Sequence, residues 1–174
     1  MLTHAMNIRL KKHSKSLFAA WWLFVWAIFV TQCSEVDCPL NNVVAVQYGL
    51  YHTDGSAVTL IDTLTIRAVG TDSVLLNKGQ GISSFLLPVH YTADKDSLLL
   101  RFSDEEGDVL TDTICLCHTN EAHFESMDCP LCYFHTLTSV TTTAHAIERV
   151  ELVSPQVNYD TQENIRIYLR DFIE

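Results

Sequence analysis

Asn164-Ile165-Arg166-Ile167-Tyr168-Leu169 is the stretch whose reading decides the fold. Ile165, Ile167 and Leu169 face one way, and Arg166, Tyr168 and Arg170 the other. A helix turns every 3.6 residues and would scatter these groups around its circumference, whereas a strand with one buried face needs this period of two. The same alternation recurs upstream. Val44, Val46, Tyr48 and Leu50 alternate with Ala45, Gln47 and Gly49, and Leu64, Ile66 and Ala68 with Thr63, Thr65 and Arg67. Further β-branched and aromatic runs predict strands near Ser84–Val89, Ser97–Phe102, Thr111–His118, Tyr133–Val140 and Val150–Val153.

The breaks between these runs have turn chemistry. Thr53-Asp54-Gly55-Ser56 predicts a hairpin, Lys78-Gly79-Gln80-Gly81 a longer turn, and Asp104-Glu105-Glu106-Gly107-Asp108 a charged tip. Ala144–Leu152 alone has a helical alternative, and its Thr-rich approach favours strand. Closely spaced strands without crossover helices predict an all-β fold: a single antiparallel β-sandwich, Ig-like or jelly-roll-like, over 43-174.

Ahead of that domain the chain changes character. Arg9, Lys11, Lys12 and Lys15 form a basic head, and a fourteen-residue apolar run follows from Leu17 to Val30. A lasting membrane span needs about 20 such residues, so the run reads as the helix of a secretory signal. Val30-Thr31-Gln32-Cys33 resembles a bacterial lipobox, with Gln32 where a small residue is usual. The expected organisation is a lipoprotein signal peptide at 1-32, lipidation at Cys33, and a lipid-anchored tether at 33-42. A plain secreted protein and a retained, uncleaved anchor are the alternatives.

Charge narrows the partners. Four of the eleven basic residues lie in the head, leaving seven against twenty-one acidic ones, a formal balance of −14 beyond it. That excess opposes nucleic acid and anionic lipid heads, so membrane attachment is expected through the lipid anchor alone. Ser34-Glu35-Val36-Asp37 reads as a solvated tether, or as a weakened acidic tract of the kind that routes some lipoproteins to the cell surface.

Beyond Cys33 the cysteines are Cys38, Cys115, Cys117, Cys129 and Cys132. Export favours disulfides, and five thiols leave one over. Cys115 and Cys117 share one face of a strand, so a bridge between them is strained and each seeks a partner elsewhere. Two other readings stay open. Cys115, Cys117, Cys129 and Cys132 offer four zinc thiolates, although the two-residue spacing of the first pair fits poorly. Cys129-Pro130-Leu131-Cys132 offers a redox pair, without the helix N-terminus that normally lowers a thiol pKa.

His118 and His123, with His135 or Glu125, are metal candidates, set against local hydrogen bonding as the commoner role of strand histidines. There is no Gly-x-Ser-x-Gly elbow, phosphate loop or dinucleotide fingerprint, and no catalytic residue or cofactor is expected. Aromatic residues, among them Tyr48, Tyr91, Tyr133 and Tyr159, divide between sandwich core and a sugar-stacking platform.

Asp37-Cys38-Pro39-Leu40-Asn41-Asn42-Val43-Val44, Asp62–Lys78, His118–Cys129 with Phe134-His135 following, and Glu163–Leu169 together resemble a family of uncharacterised lipoproteins from Bacteroidota. The resemblance implies an outer-membrane or other cell-envelope location and a compact domain, with no activity attached. It further implies a family bridge between Cys38 and Cys129. Pro130 stands where the family usually has Gly, and Cys115, Cys117 and Cys132 look peculiar to this chain. The expected function is a lipid-anchored envelope protein with a non-catalytic binding or structural role, and an envelope protein or glycan as partner. The alternatives are a metal- or thiol-dependent periplasmic enzyme and a surface glycan-binding module.

Overall fold

The computed structural model describes residues 44–127 and 129–170. The signal segment 1-32, the lipidation candidate Cys33 and the tether 33-42 with Cys38 lie outside the described residues. Among the described residues ten strands build the fold: β1 Val46–His52, β2 Thr63–Ala68, β3 Val74–Gly79, β4 Ser84–Leu87, β5 Lys95–Ser103, β6 Val109–His123, β7 Cys132–Thr142, β8 Ile147–Leu152, β9 Gln156–Val157 and β10 Glu163–Leu169. No helix among the described residues is long and apolar enough to cross a membrane.

The strands form two sheets, ordered β4-β1-β10-β8 and β3-β2-β5-β6-β7-β9. Their inner faces share one core, in which Tyr48, Leu50, Leu64, Ile66, Leu100, Ile114, Ile165 and Ile167 are buried. In β10 Ile165, Ile167 and Leu169 are buried and Arg166 is half-exposed, while Tyr168, read as facing the other way, is also buried, its ring covered by the Arg149 guanidinium. Tyr48 stacks on Phe85 across the β1–β4 pair, centroids 5.0 Å apart. The architecture is an all-β sandwich.

Pairing is antiparallel with one exception. β1 and β10, the first and last strands, run parallel side by side. Alternation reports which face a residue takes and is silent on strand direction. The buried Asn164 bonds across this junction: its Oδ1 accepts the Gln47 N–H (3.0 Å) beside a bulge, and its Nδ2 donates to the carbonyls of Ser154 (3.0 Å) and Gln156 (2.8 Å).

A second buried polar group ties the sheets together. Asp112 on β6 takes an inward position among Ile114 and Leu116, and the chain leaving β7 wraps around it. The Thr143 hydroxyl donates to it at 2.5 Å, and the backbone N–H groups of Ala146 and Ile147 at 2.7 and 2.8 Å. This fixes the crossover into β8, a strand where the sequence leaves a helical alternative.

Two strands go beyond the sequence reading. β3 pairs with β2 where the sequence shows only a turn at its end, and β9 is a two-residue strand on the edge beside β7. The register between β6 and β7 shifts between Cys117 and His118, so that Leu137 and Val140 both turn inward. The Asp104–Asp108 turn is a solvated hairpin tip, with Gly107 at φ 94° and the Asp108 N–H bonded to Asp104 Oδ1 at 2.8 Å.

Candidate functional site

At the end of the sandwich near the β6–β7 connection, the inward positions of β6 and β7 stop being apolar. Ile114 and Leu116 give way to His118 and Asn120, and Leu137 is preceded by His135 and Tyr133. Asn120 organises the group. Its Nδ2 donates to the carbonyls of Tyr91 (3.0 Å) and Ala93 (2.5 Å), which fixes the orientation of the amide. Oδ1 is therefore an acceptor, and it lies 2.8 Å from His118 Nδ1 and 2.7 Å from His135 Nδ1. Both histidines must donate from Nδ1.

His118 is buried, with Nε2 3.4 Å from Asp96 Oδ2. Asp96 also accepts the His90 N–H at 3.0 Å, and the His118 N–H donates to the Asp94 carbonyl at 2.9 Å. Asn120, Asp96 and His118 together pin the loop from Val89 to Asp94. For His135, burial first and the charge of His118 second push the pKa down to about 4, against an opposing pull from Asp96. It is neutral at neutral pH. The same Asp96 charge, added to burial, raises the Tyr48 hydroxyl above its ordinary value.

The pinned loop forms one wall of an open groove of about 520 Å³. Tyr91 and Tyr133 line it, stacked at 4.9 Å, with Val44, Val89, Leu131, Cys132 and His135. Tyr91 is 56% exposed, so its ring is presented to solvent. With Nδ1 of His135 committed to Asn120, Nε2 is the polar atom its ring has left for a ligand, and it is a lone pair. The groove thus offers an aromatic platform, an apolar wall, and hydrogen-bonding groups in the tyrosine hydroxyls, the Cys132 thiol and His135.

The other candidates are dispersed. His118 and His123 are five residues apart on one strand, which places them on opposite faces. His123 stacks on Phe134 at 4.0 Å and contacts Glu125 at 3.0 Å, away from the Asn120 cluster. Cys115, Cys117 and Cys132 are free thiols, where the sequence reading had them seeking disulfide partners. Cys115 contacts the Ser97 hydroxyl at 3.5 Å, and Cys132 contacts the Tyr159 hydroxyl at 2.9 Å. The register sets Cys117 opposite Ser139 and His123 opposite Cys132, so Cys117 and Cys132 are separated by six residues of strand, roughly 20 Å. That separation rules out a shared four-thiolate zinc site. Among the described residues no three His, Cys, Asp or Glu side chains gather as metal ligands. The hydrogen bond to Cys132, reinforced by burial and by the charges of Cys132 and Glu125, pushes the Tyr159 hydroxyl up to about 12.

Sequence reasoning passed over Asn120, Asp96 and Asp112. A signal was present for two of them: Asp112 and Asn120 occupy the same alternate positions of β6 as Ile114 and Leu116. A polar residue in the apolar register of a strand is buried with partners.

No curated protein and no solved structure matches the chain. The family of unknown function DUF6452 matches residues 63–169, from the first residue of β2 to the last of β10, and the chain belongs to that family.

Proposed function

We propose that the protein is a lipid-anchored component of the cell envelope, held at the outer membrane of a member of the Bacteroidota through Cys33, and that its β-sandwich acts by binding. The observation that carries the binding reading is the Asn120 clamp. It commits the Nδ1 atoms of both buried histidines to holding a loop. The Cys132 thiol in the groove contacts the Tyr159 hydroxyl at 2.9 Å and the His123 carbonyl, with no bond to His135 among the described residues that would make a nucleophile–base pair. The thiol- or metal-dependent alternative draws less support, because Cys115 and Cys117 lie on the other face of β6 from His118, and Cys132, which lines the groove with His135, is in contact with the Tyr159 hydroxyl. Anchoring rests on the basic head, the apolar run and Cys33.

The exposed Tyr91 ring over the groove favours a glycan as the bound partner. Sugars stack their C–H faces on aromatic rings, and the His135 lone pair suits a hydroxyl donor. A bridge between Cys38 and Cys129 completes the proposal. The other three described cysteines are free thiols and Cys129 is not one of them.

The test is recovery of the native protein from membranes with its partners. Cys33→Ser should release it into the soluble fraction or leave an unprocessed precursor, because bacterial lipidation supplies several acyl chains where one binds only marginally. Full membrane retention with normal processing would refute anchoring. Tyr91→Ala should lose the co-purifying partner while the domain stays folded, and an unchanged partner set would refute the groove.

A further inference from the structure

The outer face of the six-stranded sheet departs from the charge of the rest of the chain. The buried positions of β2, β5 and β6 alternate with outward ones, and none of the outward residues is acidic along β2, along β5, or along β6 as far as Thr119. This is a chain with twenty-one acidic residues. Three of its basic residues, Arg67, Lys95 and Arg101, are exposed on this face.

Register brings two of them together. Thr65 is opposite Arg101, and Arg67 is opposite Leu99. The two arginines are therefore diagonal neighbours, with Cα atoms roughly 7–8 Å apart, inside the screening distance of about 8 Å at physiological salt. They line a groove of about 220 Å³ together with Thr65 and Leu99. Two like charges held this close normally recruit a carboxylate. Arg166 on the opposite sheet does so, pairing with Glu163 at 2.6 Å. Neither Arg67 nor Arg101 has an acidic partner among the described residues.

The third polar group of the groove is also a donor. Thr65 Oγ1 accepts the Lys78 N–H at 3.3 Å, which leaves its hydroxyl hydrogen to point elsewhere. Two guanidinium groups and one hydroxyl hydrogen face a groove whose fourth wall, Leu99, supplies no acceptor. A site made only of donors, two of them permanently charged, is complementary to an oxyanion, which accepts from several directions and which guanidinium binds in a bidentate fork.

We infer that the Arg67–Arg101 groove is an anion site that takes a single phosphate-type oxyanion, with Thr65 as the third donor. It lies on a different sheet face from the Tyr91–Tyr133 groove and is independent of the reading given for that groove. The overall negative charge of the chain repels anions at long range, so recognition here depends on contact with the guanidinium pair.

The experiment uses isotopically labelled protein that begins after Cys33, followed by amide resonances during titration with inorganic phosphate at constant ionic strength. Saturable shifts at Thr65, Arg67, Leu99 and Arg101 are expected, and chloride should not reproduce them. Arg67→Gln and Arg101→Gln should each weaken binding about tenfold, and Thr65→Val, which keeps both charges, by a smaller factor. A thermal melt of each variant confirms folding, and none of the three positions is buried. Sedimentation with phosphatidylglycerol vesicles, against phosphatidylcholine alone, identifies the source: retention lost in the arginine variants assigns a lipid headgroup, and absence of retention assigns a soluble phosphate ester. Shifts that rise without saturating, or that persist in the double arginine variant, overturn the site.

Discussion

Asp112 accepts the backbone N–H of Ile147 at 2.8 Å, joining the six-stranded sheet to the first residue of a strand in the other sheet. Asp112→Ala leaves that amide and that of Ala146 without a partner inside the protein. Hydrogen bonds to a charged group contribute about 1.5–3 kcal/mol each, so the expected loss is roughly 3–5 kcal/mol in urea unfolding at neutral pH. Burial alone would raise the carboxyl pKa. The Thr143 hydroxyl and the amides of Ile147, His145 and Ala146 outweigh it and hold the group below its usual value. A lowered folded-state pKa means the stabilisation is complete above the ordinary value of 3.8 and is lost as pH falls through the folded one. The gap between wild type and Asp112→Ala should therefore close in acid. A gap that stays constant down to the lowest accessible pH would show that the charge is not what matters.

His135 gives a second pH window. Its folded-state value of about 4 lies below the ordinary 6.5, so its contribution is whole above pH 6.5 and declines as the pH falls towards 4. The span corresponds to on the order of 3 kcal/mol. The groups facing the ring are His118, Asp96 and Asn120. A proton NMR titration of the imidazole should place its midpoint near 4, and His135→Gln should flatten the pH dependence of stability over the window. A midpoint near 6.5 would mean the ring is open to water.

Gly49 tests close approach across the parallel pair. A Cβ there would fall on Glu163 Oε2 and lie 2.8 Å from Tyr51 Cε2. Glu163 lies there because it accepts the Tyr51 hydroxyl at 2.6 Å and the Arg166 Nε–H at 2.6 Å. Gly49→Ala should cost about 1–3 kcal/mol, the usual penalty of overpacking. In a Glu163→Ala background the cost should shrink, because the displaced carboxylate is already gone. Equal costs in both backgrounds would place the clash elsewhere.

For the proposed Cys38–Cys129 bridge the expected signature is non-additivity. A loop of about ninety residues contributes roughly 4–5 kcal/mol in the chain-entropy model, before native strain is subtracted. Cys38→Ser and Cys129→Ser should be about equally destabilising, and the double variant scarcely worse than either. Protein that begins after Cys33, unfolded without reductant, should titrate as three thiols, those of Cys115, Cys117 and Cys132. Five thiols would remove the bridge.

Alternation made the sandwich legible. Ile165 and Ile167, Leu64 and Ile66, and Ile114 and Leu116 announce their faces because burial on a strand repeats every two residues. Strand direction left no such trace, and the parallel β1–β10 pair came from the fold alone. Of the site, Tyr91, His118 and His135 were visible as residue types, but their assembly depends on an amide two strands from Tyr91. The proposed anion groove was hidden for another reason. Net charge sums over the whole surface, and Arg67 and Arg101 are thirty-four positions apart until register makes them neighbours.

The parallel pairing of the first and last strands also sets how the domain meets mechanical load. The N-terminal end of β1 and the C-terminal end of β10 lie at opposite ends of the same pair of strands. Under the proposed anchoring, tension between the N-terminal end of β1 and the C-terminal end of β10 would slide the two strands along each other and strain every rung of the ladder together. An antiparallel pair pulled from one end would open like a zipper, one rung at a time. With β4 on one side of β1 and β8 on the far side of β10, this shear-bearing pair sits in the middle of its sheet.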